Sequence, residues 1–509
     1  MYPIDFFFRA VRQYGDRTAI EAPGGKLTYR QLAERVNALA TALQSLDPVI
    51  GSRVGICSNN TVEHVIALLA ILASGKVWVP LNYRSAVPEL ERIVSFTKPG
   101  IVLATEEFGT LLNIAAVPVR ISLDRPFPGA THTLHDLERL YAGKMPVRHS
   151  MGDESLQAIK FTGGSTGSPK GVMQAYRSWR ATVINLIDAY RFDECDRNLM
   201  AAPISHGAGT YILPVLAKGG CHVLLDSTSA AGVLQALRSR EITTVFMPPT
   251  LFYMVMAAGS GGDLDGSGLK RLIYGGAPMP VDKIRAAQRF FGPVVEVTYG
   301  QTEAPQIVTF LSAKELMTDR YVTSVGRASL LSDFAIMGAD GRLLPPGETG
   351  EIVVRGPMIM SGYLELPEKT AETIVDGWLH TGDLGCIDEN GYLFLRGRSR
   401  EVIITGGFNV YPIDIENVLS GHPSVHDVTV FGLPDDKWGE AVTAAVQLKA
   451  GATLSEEALI AYAKEQVGSV KAPKHIHFYD DLPRNPVGKI DKARVKALLS
   501  NTTAKPLGA

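Results

Sequence analysis

The stretch FTGGSTGSPKG, residues 161–171, governs how the rest of this 509-residue sequence is interpreted. It follows an apolar segment, residues 156–159, which is predicted to form a strand. Its glycines let backbone N–H groups approach an anion closely, while its hydroxyls and Lys170 add hydrogen-bond donors and a positive charge. The G-K-[ST] ending of a Walker A loop is missing. The stretch is therefore either a phosphate-binding loop of another kind or a flexible Gly/Ser surface loop.

The chain upstream of this loop has the pattern of alternating strands and helices. Residues 28–31, TYRQ, form a capping-box pattern at the start of a helix. Residues 53–57 are then predicted to form a strand, residues 61–73 a helix and residues 77–81 a second strand. Strand, helix and strand at this spacing indicate a βαβ unit in a parallel sheet. Similar alternation recurs over residues 155–300, so the first half is predicted to be α/β.

The pattern changes after residue 340. Short strands, such as residues 350–355 and 392–396, are separated by Pro and Gly turns, which indicates a β-rich region. Residues 397–401, GRSRE, are charged and lack an apolar period, so they are predicted to form a linker. The sequence thus predicts a large N-terminal α/β region, residues 1–398, built from parallel-type sheets and a β-rich subdomain.

The remaining chain, residues 399–509, is long enough for a small α+β domain at about 110 residues. Residues 425–431 and 441–448 are predicted to be strands. Residues 453–466 are predicted to form a helix, with Thr453 as its cap and Glu456 completing a capping box.

Composition excludes several classes of protein. Hydrophobic residues make up 46% of the chain and charged residues 20%, as in soluble globular enzymes. A net charge of -2 gives no electrostatic case for binding nucleic acid or an anionic membrane. The cysteines form no CxxC pair, so free and mostly buried thiols are expected at Cys57, Cys195, Cys221 and Cys386. There is no signal-peptide pattern or bilayer-length apolar run, and we expect a soluble cytoplasmic protein.

The glycine-rich loop resembles the phosphate loop of the adenylate-forming superfamily, which contains acyl-CoA synthetases, luciferases and peptide-synthetase adenylation domains. The usual pattern is T-S-G-T-T-G-x-P-K-G. Here Gly163 replaces the first Ser, so it receives no side-chain role, whereas Ser165 replaces Thr and keeps the hydroxyl. The resemblance implies that ATP phosphates are bound by Thr162, Gly164, Ser165, Thr166, Gly167 and Lys170.

A second motif, YGQTEA at residues 299–304, resembles the family's adenine and magnesium motif. The ring of Tyr299 can stack on a purine, and the carboxylate of Glu303 can hold Mg²⁺, which prefers oxygen ligands. The resemblance implies that Glu303 is catalytic and the metal-side ligand, that Thr302 contacts phosphate and that Gly300 lies in the nucleotide site. By itself the motif is also compatible with an ordinary turn.

Further matches follow in the family's order, so the resemblance covers residues 25–495. In WLHTGDL, the resemblance implies that Asp383 accepts bonds from both ribose hydroxyls, and Arg398 also reaches the ribose. The hinge position, usually Asp or Lys, falls on Arg400. The segment GGAP resembles the element that walls the adenine, through Gly275, Gly276 and Ala277.

The last matches concern the residues implied to bind CoA and the catalytic lysine. GGFNVYP resembles the loop that lines the pantetheine tunnel, through Gly406 and Gly407. Trp438 matches relatives in which the indole packs near the nucleotide of CoA, although a buried structural Trp is an equally common interpretation. In LPRNPVGKI, Lys489 is implied to bridge the substrate carboxylate and the α-phosphate. The implied small domain is mobile and turns about a hinge near residue 400.

The resemblance implies an AMP-forming carboxylate:CoA ligase that uses ATP, Mg²⁺ and CoA. The implied acyl pocket lies among residues 203–209, 246–250, 274–276 and 299–309. These segments contain no Lys or Arg to pair with a second carboxylate, and the first lacks the Asp that grips an amino acid's ammonium group. Several small residues leave volume for a neutral fatty, aromatic or alicyclic acyl group. His206 either orients the carboxylate as a catalytic residue, gates the pocket or is structural.

Several alternatives remain open from the sequence. The acyl-adenylate could be passed to a carrier-protein thiol, and amino-acid adenylation is disfavoured by the missing Asp. A non-catalytic relative is disfavoured by the joint presence of Thr166, Glu303, Asp383, Arg398 and Lys489. A luciferase-like oxygenase shares the same motifs. The expected partners are small molecules, and the sequence leaves both a monomer and a homodimer open.

Overall fold

Strands and helices alternate along most of the chain and form three sheets. The computed structural model describes residues 1–162, 170–239, 241–259, 264, 267–435, 437–484 and 490–503, with side chains up to residue 499. In chain order, the strands are β1 Thr18–Ala22, β2 Gly25–Thr28, β3 Arg53–Cys57, β4 Val77–Pro80, β5 Ile101–Ala104, β6 Val119–Ser122, β7 His132–Thr133, β8 Leu156–Thr162, β9 Lys170–Ala175, β10 Arg197–Leu199, β11 Cys221–Val223, β12 Thr244–Met247, β13 Arg271–Gly275, β14 Val295–Tyr299, β15 Thr309–Leu311, β16 Ser324–Ala328, β17 Asp333–Met337, β18 Gly350–Arg355, β19 Gly362–Tyr363, β20 Ile374–Val375, β21 Trp378–Ile387, β22 Leu393–Arg398, β23 Ile403–Thr405, β24 Phe408–Val410, β25 Val425–Asp435, β26 Gly439–Leu448 and β27 His475–Tyr479.

The helices lie mainly between parallel strands. In chain order they are α1 Asp5–Tyr14, α2 Tyr29–Leu46, α3 Val62–Ala73, α4 Val87–Thr97, α5 Glu106–Leu111, α6 Leu134–Leu140, α7 Tyr176–Tyr190, α8 Ile212–Ala217, α9 Ala230–Arg238, α10 Pro249–Ala257, α11 Val281–Phe291, α12 Ala313–Leu316, α13 Pro367–Thr373, α14 Pro412–Ser420, α15 Glu456–Lys471 and α16 Lys492–Thr503. Within the described residues, no helix combines the length and the apolar character needed to cross a membrane.

The largest sheet has 14 strands and joins two halves of different construction. In one half β1, β11, β10, β12, β13 and β14 run parallel to their neighbours. In the other half β15, β16, β22, β21, β18 and β17 pair antiparallel. The parallel half confirms the α/β prediction for residues 155–300, and the antiparallel half confirms the β-rich region after residue 340.

The second sheet positions the two ends of the glycine-rich loop. Its order is β19-β9-β8-β4-β3-β5-β6-β7, and β3, α3 and β4 form the predicted βαβ unit with parallel strands. Strand β8 ends at Thr162 and β9 begins at Lys170, and these two residues face each other in register. The antiparallel pairing of β8 with β9 therefore brings both flanks of the loop to one edge of the sheet.

The third sheet is formed by β23, β24, β25, β26 and β27, packed against α14 and α15. The predicted cap of the helix in this region is wrong. Helix α15 is capped by Ser455, whose side chain accepts a bond from the Ala458 N–H. The Glu456 carboxylate instead accepts a bond from the Ile476 N–H at 2.9 Å, which ties the helix to β27. A tertiary contact has taken the group that a capping box would use.

The predicted linker at residues 397–401 is also shorter than expected. Strand β22 continues through Arg398, which pairs in register with Asp383 of β21. Only Ser399–Glu401 forms a short 3₁₀ turn. The charged residues are held in the strand because the opposing strand supplies a carboxylate to pair with the Arg398 guanidinium.

Local predictions in the first domain are confirmed. The Thr28 hydroxyl accepts a bond from the Gln31 N–H at 3.2 Å, and the Gln31 side chain accepts one from the Thr28 N–H at 2.9 Å, which completes the capping box. The thiols of Cys57, Cys221 and Cys386 are buried and unpaired in disulfides, whereas Cys195 is exposed.

Lys160 of β8 is a cationic side chain enclosed by aromatic rings. Its Nζ lies 5.0 Å from the centre of the Trp78 ring and 5.4 Å from that of Trp179. The residue is 8% exposed, and within the described residues no carboxylate pairs with it. Burial lowers the pKa of Lys160 to about 8, while the two rings favour the cation.

We expect Lys160→Met to stabilise the fold by about 1–3 kcal/mol at pH 7, because it removes a desolvated charge. The unfolded chain holds this proton up to an ordinary lysine pKa of 10.5, whereas the folded protein releases it from about 8. The stability of the wild type therefore rises between these pH values, and the difference from the variant shrinks. Urea unfolding at pH 7 and pH 9.5 measures both effects. Lys464→Met, at an exposed site on α15, is the matched control. A pH-independent difference would contradict this explanation.

Candidate active site

The carboxyl ends of the parallel strands β13 and β14 carry the predicted adenine-binding residues, at the edge where α/β sheets bind ligands. Gly275 ends β13, and a Cβ there would lie 2.7 Å from both the Cγ2 and the carbonyl oxygen of Thr298. Only glycine fits between these strands. Gly276 follows with φ of 82° and is exposed, and Ala277 is half-buried. Two residues without a Cβ thus stand at the edge where a ligand is expected.

Asp383 is the centre of a hydrogen-bonded cluster. Its Oδ2 accepts bonds from the Tyr299 hydroxyl at 2.7 Å and the Gln301 amide at 2.5 Å. Its Oδ1 lies 2.6 Å from the Arg398 guanidinium. Burial and the neighbouring carboxylate raise the pKa of Tyr299 well above its ordinary value, so this phenol is a donor at neutral pH. The predicted residues Tyr299, Asp383 and Arg398 therefore lie together.

The Asp383 carboxylate is already largely occupied by protein donors. A carboxylate offers about four acceptor positions, and Tyr299, Gln301 and Arg398 use three of them. Gln301, which the sequence analysis did not assign, also donates to the Thr381 carbonyl at 3.0 Å. A diol that binds both oxygens of Asp383 must displace one of these donors.

Glu303 is held by a tyrosine that the sequence analysis missed. The Tyr363 hydroxyl of β19 donates to Glu303 Oε1 at 2.8 Å. Lys170 places its ammonium 5.2 Å from the centre of the same Tyr363 ring. The Thr302 carbonyl accepts a bond from the Gln174 amide at 2.8 Å, which fixes the loop from β9. Tyr363 thus links the end of the glycine-rich loop to the carboxylate predicted to face the metal.

The described residues contain no group of three or more His, Cys, Asp or Glu side chains that could hold a metal by themselves. Glu303 is half-buried and offers one carboxylate oxygen beyond the bond from Tyr363. A single carboxylate fits Mg²⁺, which takes most of its remaining ligands from phosphates and water.

Some predicted site residues lie outside the described residues, namely Gly164, Ser165, Thr166, Gly167 and Lys489. Thr162 and Lys170, at the two flanks of the loop, are described and lie opposite each other. Gly300 is also described, and a Cβ there would lie 2.6 Å from the Gln306 backbone, so the turn after Tyr299 requires glycine.

The predicted acyl-pocket segments converge around Gly207. An added Cβ at Gly207 would lie 3.0 Å from the Gln306 side-chain oxygen and 3.1 Å from the Phe246 ring. These atoms belong to three different segments of the predicted pocket. The neighbouring His206 is exposed, and its Nδ1 lies 3.2 Å from the Ser205 hydroxyl. An exposed imidazole beside the pocket is compatible with a role as gate or carboxylate partner.

The residues predicted to meet CoA lie together in the third sheet. The Gly406 N–H donates to the Trp438 carbonyl at 2.8 Å, and a Cβ at Gly406 would lie 3.2 Å from the indole. Gly406 and Gly407 have φ of 56° and 82° and form the exposed turn between β23 and β24. The ammonium groups of Lys437 and Lys474 lie 5.1 and 5.0 Å from the Trp438 ring centre. Trp438 is therefore half-buried against glycine and flanked by positive charge.

Comparisons with known proteins agree with this geometry. The sequence profile of the family described as AMP-binding enzyme matches residues 7–364, and that of the AMP-binding enzyme C-terminal domain matches residues 414–489. A feruloyl-CoA synthase of Amycolatopsis sp is 34% identical over 501 residues, which are 96% of this chain and 97% of that protein. A medium/long-chain-fatty-acid–CoA ligase of Mycobacterium tuberculosis is 31% identical and covers 98% of this chain and 90% of its own.

A solved structure shows the same fold. The amide bond synthetase from Marinactinospora thermotolerans has a TM-score of 0.88 and 31% sequence identity, and the match covers 97% of this chain and 99% of that one. The chain therefore belongs to the AMP-binding enzymes, the adenylate-forming superfamily that its motifs predicted, and is an AMP-forming acid–thiol ligase.

Proposed function

We propose that this enzyme activates an organic acid with a neutral tail and passes its acyl group to CoA. In the first half-reaction a carboxylate oxygen attacks the α-phosphorus of ATP, and pyrophosphate leaves as the bond to the β-phosphate oxygen breaks. In the second, the thiol sulfur attacks the acyl carbonyl, and AMP leaves with the electron pair of the broken C–O bond. The thiol proton passes to solvent.

The cluster around Asp383 is the observation that carries this proposal. It places a carboxylate, a guanidinium and a phenol at the carboxyl ends of β13 and β14, beside the glycine edge formed by Gly275 and Gly276. Asp383 has one acceptor position left, and Arg398 is 44% exposed, so both can reach ribose hydroxyls. Glu303 and Lys170, which both lie at Tyr363, are proposed to face the phosphates.

Glu303 is the proposed ligand of Mg²⁺, which neutralises phosphate charge when bound. The protein's part is to hold the carboxylate in one orientation, through the hydroxyl of Tyr363. Lys489 is the proposed catalytic cation near the α-phosphate. The phosphate loop from Thr162 to Lys170 is proposed to hold the β- and γ-phosphates.

Tyr363→Phe is expected to raise the Mg²⁺ concentration for half-maximal adenylation roughly tenfold, because a group that orients a metal ligand is lost. The Tyr363 ring is 6% exposed and its packing is kept, so the thermal midpoint should move by only about 2 °C. Magnesium titration of pyrophosphate exchange gives the first quantity and calorimetry the second. Tyr392→Phe, which loses a comparable bond to Glu315 far from the nucleotide, is the control. An unchanged magnesium titration would show that Tyr363 does not position Glu303.

We further propose that the acid is fatty, aromatic or alicyclic. The pocket segments that meet at Gly207 present Phe246, Gln306 and backbone, with no cationic side chain in their sequences. The feruloyl-CoA synthase and the fatty-acid–CoA ligase are named for acids of these two kinds, which supports a neutral tail without choosing between them.

The two half-reactions are proposed to use two orientations of a small C-terminal domain, residues 399–509, relative to the large domain, residues 1–398. In the present orientation Arg396 lies 3.3 Å from Asp414, and the Ser420 hydroxyl donates to Asp282 at 3.3 Å. Partly exposed polar contacts of this kind contribute little to stability. They therefore oppose a rotation about residue 400 only weakly, and that rotation would carry Gly406, Gly407 and Trp438 to the nucleotide.

AMP release tests the proposal, measured with and without CoA across fatty, aromatic and short acids. CoA-dependent AMP release with one class of acid supports the ligase and identifies that class. Acid-dependent pyrophosphate exchange without CoA-dependent turnover would show that the acyl acceptor is not CoA but another group, such as a carrier-protein thiol. Absence of both activities with every acid in the panel would contradict the proposed function.

A further inference from the structure

Gln306 has a backbone conformation that non-glycine residues seldom adopt. Its φ is 64°, in the left-handed region. The Thr298 hydroxyl donates to the Gln306 carbonyl at 2.7 Å. The backbone of Gly300 packs so closely against that of Gln306 that a Cβ on residue 300 would lie 2.6 Å from it. Such strain persists where the surrounding structure enforces it, and it is concentrated at ligand sites. The loop after Glu303 therefore holds this side chain in one place.

The amide group of Gln306 is fixed at one end. Its Nε2 donates to the hydroxyl of Tyr211 at 3.1 Å, and Tyr211 is fully buried. The Tyr211 ring in turn stacks on Phe246, with ring centres 5.4 Å apart and planes at 27°. Since the nitrogen is committed to Tyr211, the amide oxygen must point the other way. Within the part of the chain that the structure describes, no donor bonds this oxygen.

Gly207 leaves that oxygen uncovered. A methyl group at residue 207 would lie 3.0 Å from Gln306 Oε1 and 3.1 Å from the Phe246 ring, and would therefore cover both. Gly207 and Gln306 are both partly exposed, so this patch is not fully covered by the neighbouring chain. An acyl group in the pocket thus meets an aromatic edge and a neutral acceptor next to each other.

We propose that Gln306 Oε1 accepts a hydrogen bond from a donor carried on an aromatic ring of the acyl group. This inference rests on the proposed function and narrows its substrate class to aromatic acids with a ring hydroxyl or ring N–H. A flat ring packs against Phe246 over Gly207, where a side chain is missing. A plain alkyl chain at the same place would strip water from the amide oxygen without replacing its hydrogen bond, which is unfavourable.

The test compares kcat/KM for pairs of acids that differ only in the donor. Suitable pairs are hydroxylated, methoxylated and unsubstituted phenylpropenoic acids in the ortho, meta and para series, and an indole acid against its benzofuran analogue. The wild type is expected to prefer the donor in at least one series by roughly five- to tenfold, the effect of one hydrogen bond. The methoxylated acid should lose this preference, because its oxygen only accepts.

Three variants test the assignment. Gln306→Leu removes the acceptor, and the ratio of kcat/KM between the acids with and without the donor should fall to about one. Gln306→Asn should do the same with less backbone strain, because Asn tolerates the left-handed region and its shorter side chain no longer reaches Tyr211. Gly207→Ala covers the oxygen with a methyl group 3.0 Å away while residue 306 stays glutamine, and the φ of residue 207 is not in the left-handed region. A wild type without donor preference, or a preference that survives all three variants, would overturn the proposal.

Binding separates this inference from the proposed function. Acyl-sulfamoyl adenosines with and without the ring hydroxyl report on the pocket without any chemistry, and calorimetry gives both dissociation constants. A donor preference in binding that Gln306→Asn abolishes supports the inference even when turnover with CoA fails. Equal binding of both analogues, together with CoA-dependent turnover of acids that lack a ring donor, overturns the inference but supports the proposed ligase function.

Discussion

Lys489→Ala is expected to slow acyl-adenylate formation by roughly 10²–10³-fold, because a positioned donor to a developing anion is worth about this much. The substrate carboxylate and the α-phosphate repel each other, and Lys489 is the proposed cation that offsets this repulsion. The second half-reaction has no such repulsion, since the acyl-adenylate is already formed. We therefore expect thioester formation from a supplied acyl-adenylate and CoA to proceed at close to the wild-type rate.

Pyrophosphate exchange measures the first half-reaction, and single-turnover acyl transfer measures the second. Lys464→Ala, which removes an exposed lysine of α15, controls for a general loss of positive charge from the C-terminal region. If Lys489→Ala impaired both half-reactions equally, the lysine would not be specific to adenylation and the proposed division of labour would be wrong.

Asp383→Ala is expected to lower kcat/KM for ATP by about 10²-fold and to destabilise the fold by about 2 kcal/mol. The variant removes the proposed ribose acceptor. It also leaves the buried hydroxyl of Tyr299 and the Arg398 guanidinium without their shared partner. Steady-state kinetics at varied ATP and urea unfolding measure the two losses separately.

Two variants show whether the kinetic loss goes beyond the loss of stability. Tyr299→Phe removes one of the donors to Asp383 and should cost stability with a smaller effect on ATP. Asp340→Ala breaks an exposed pair with Arg342 and should change neither quantity. An Asp383→Ala enzyme with wild-type kcat/KM for ATP would remove Asp383 from the nucleotide site.

The sequence by itself determined the family, the α/β class and the succession of α/β and β-rich regions along the chain. These depend on local requirements that a single stretch of chain reveals. Thr28 caps its helix through a residue three positions away, and β3, α3 and β4 follow from hydrophobic periodicity.

Where sequence patterns failed, a tertiary partner had changed a local preference. Residues 397–398 belong to a charged stretch without an apolar period, which predicted a linker. They nevertheless continue β22, because Asp383 lies opposite Arg398. Glu456 fits a capping box with Thr453, yet its carboxylate bonds to the Ile476 backbone. In both cases the competing contact comes from a segment that no local window includes.

The tertiary structure alone decided the partners of the site's polar groups. Tyr299 and Asp383 are 84 positions apart in the chain, Glu303 and Tyr363 are 60 apart, and Tyr211 and Gln306 are 95 apart. A hydrogen bond requires a donor and an acceptor within about 3 Å and in line, which depends on how distant strands and loops are placed. For this reason the motifs could name the reacting groups, whereas only the fold could show that Tyr363 holds Glu303 and that Gln306 leaves its oxygen open.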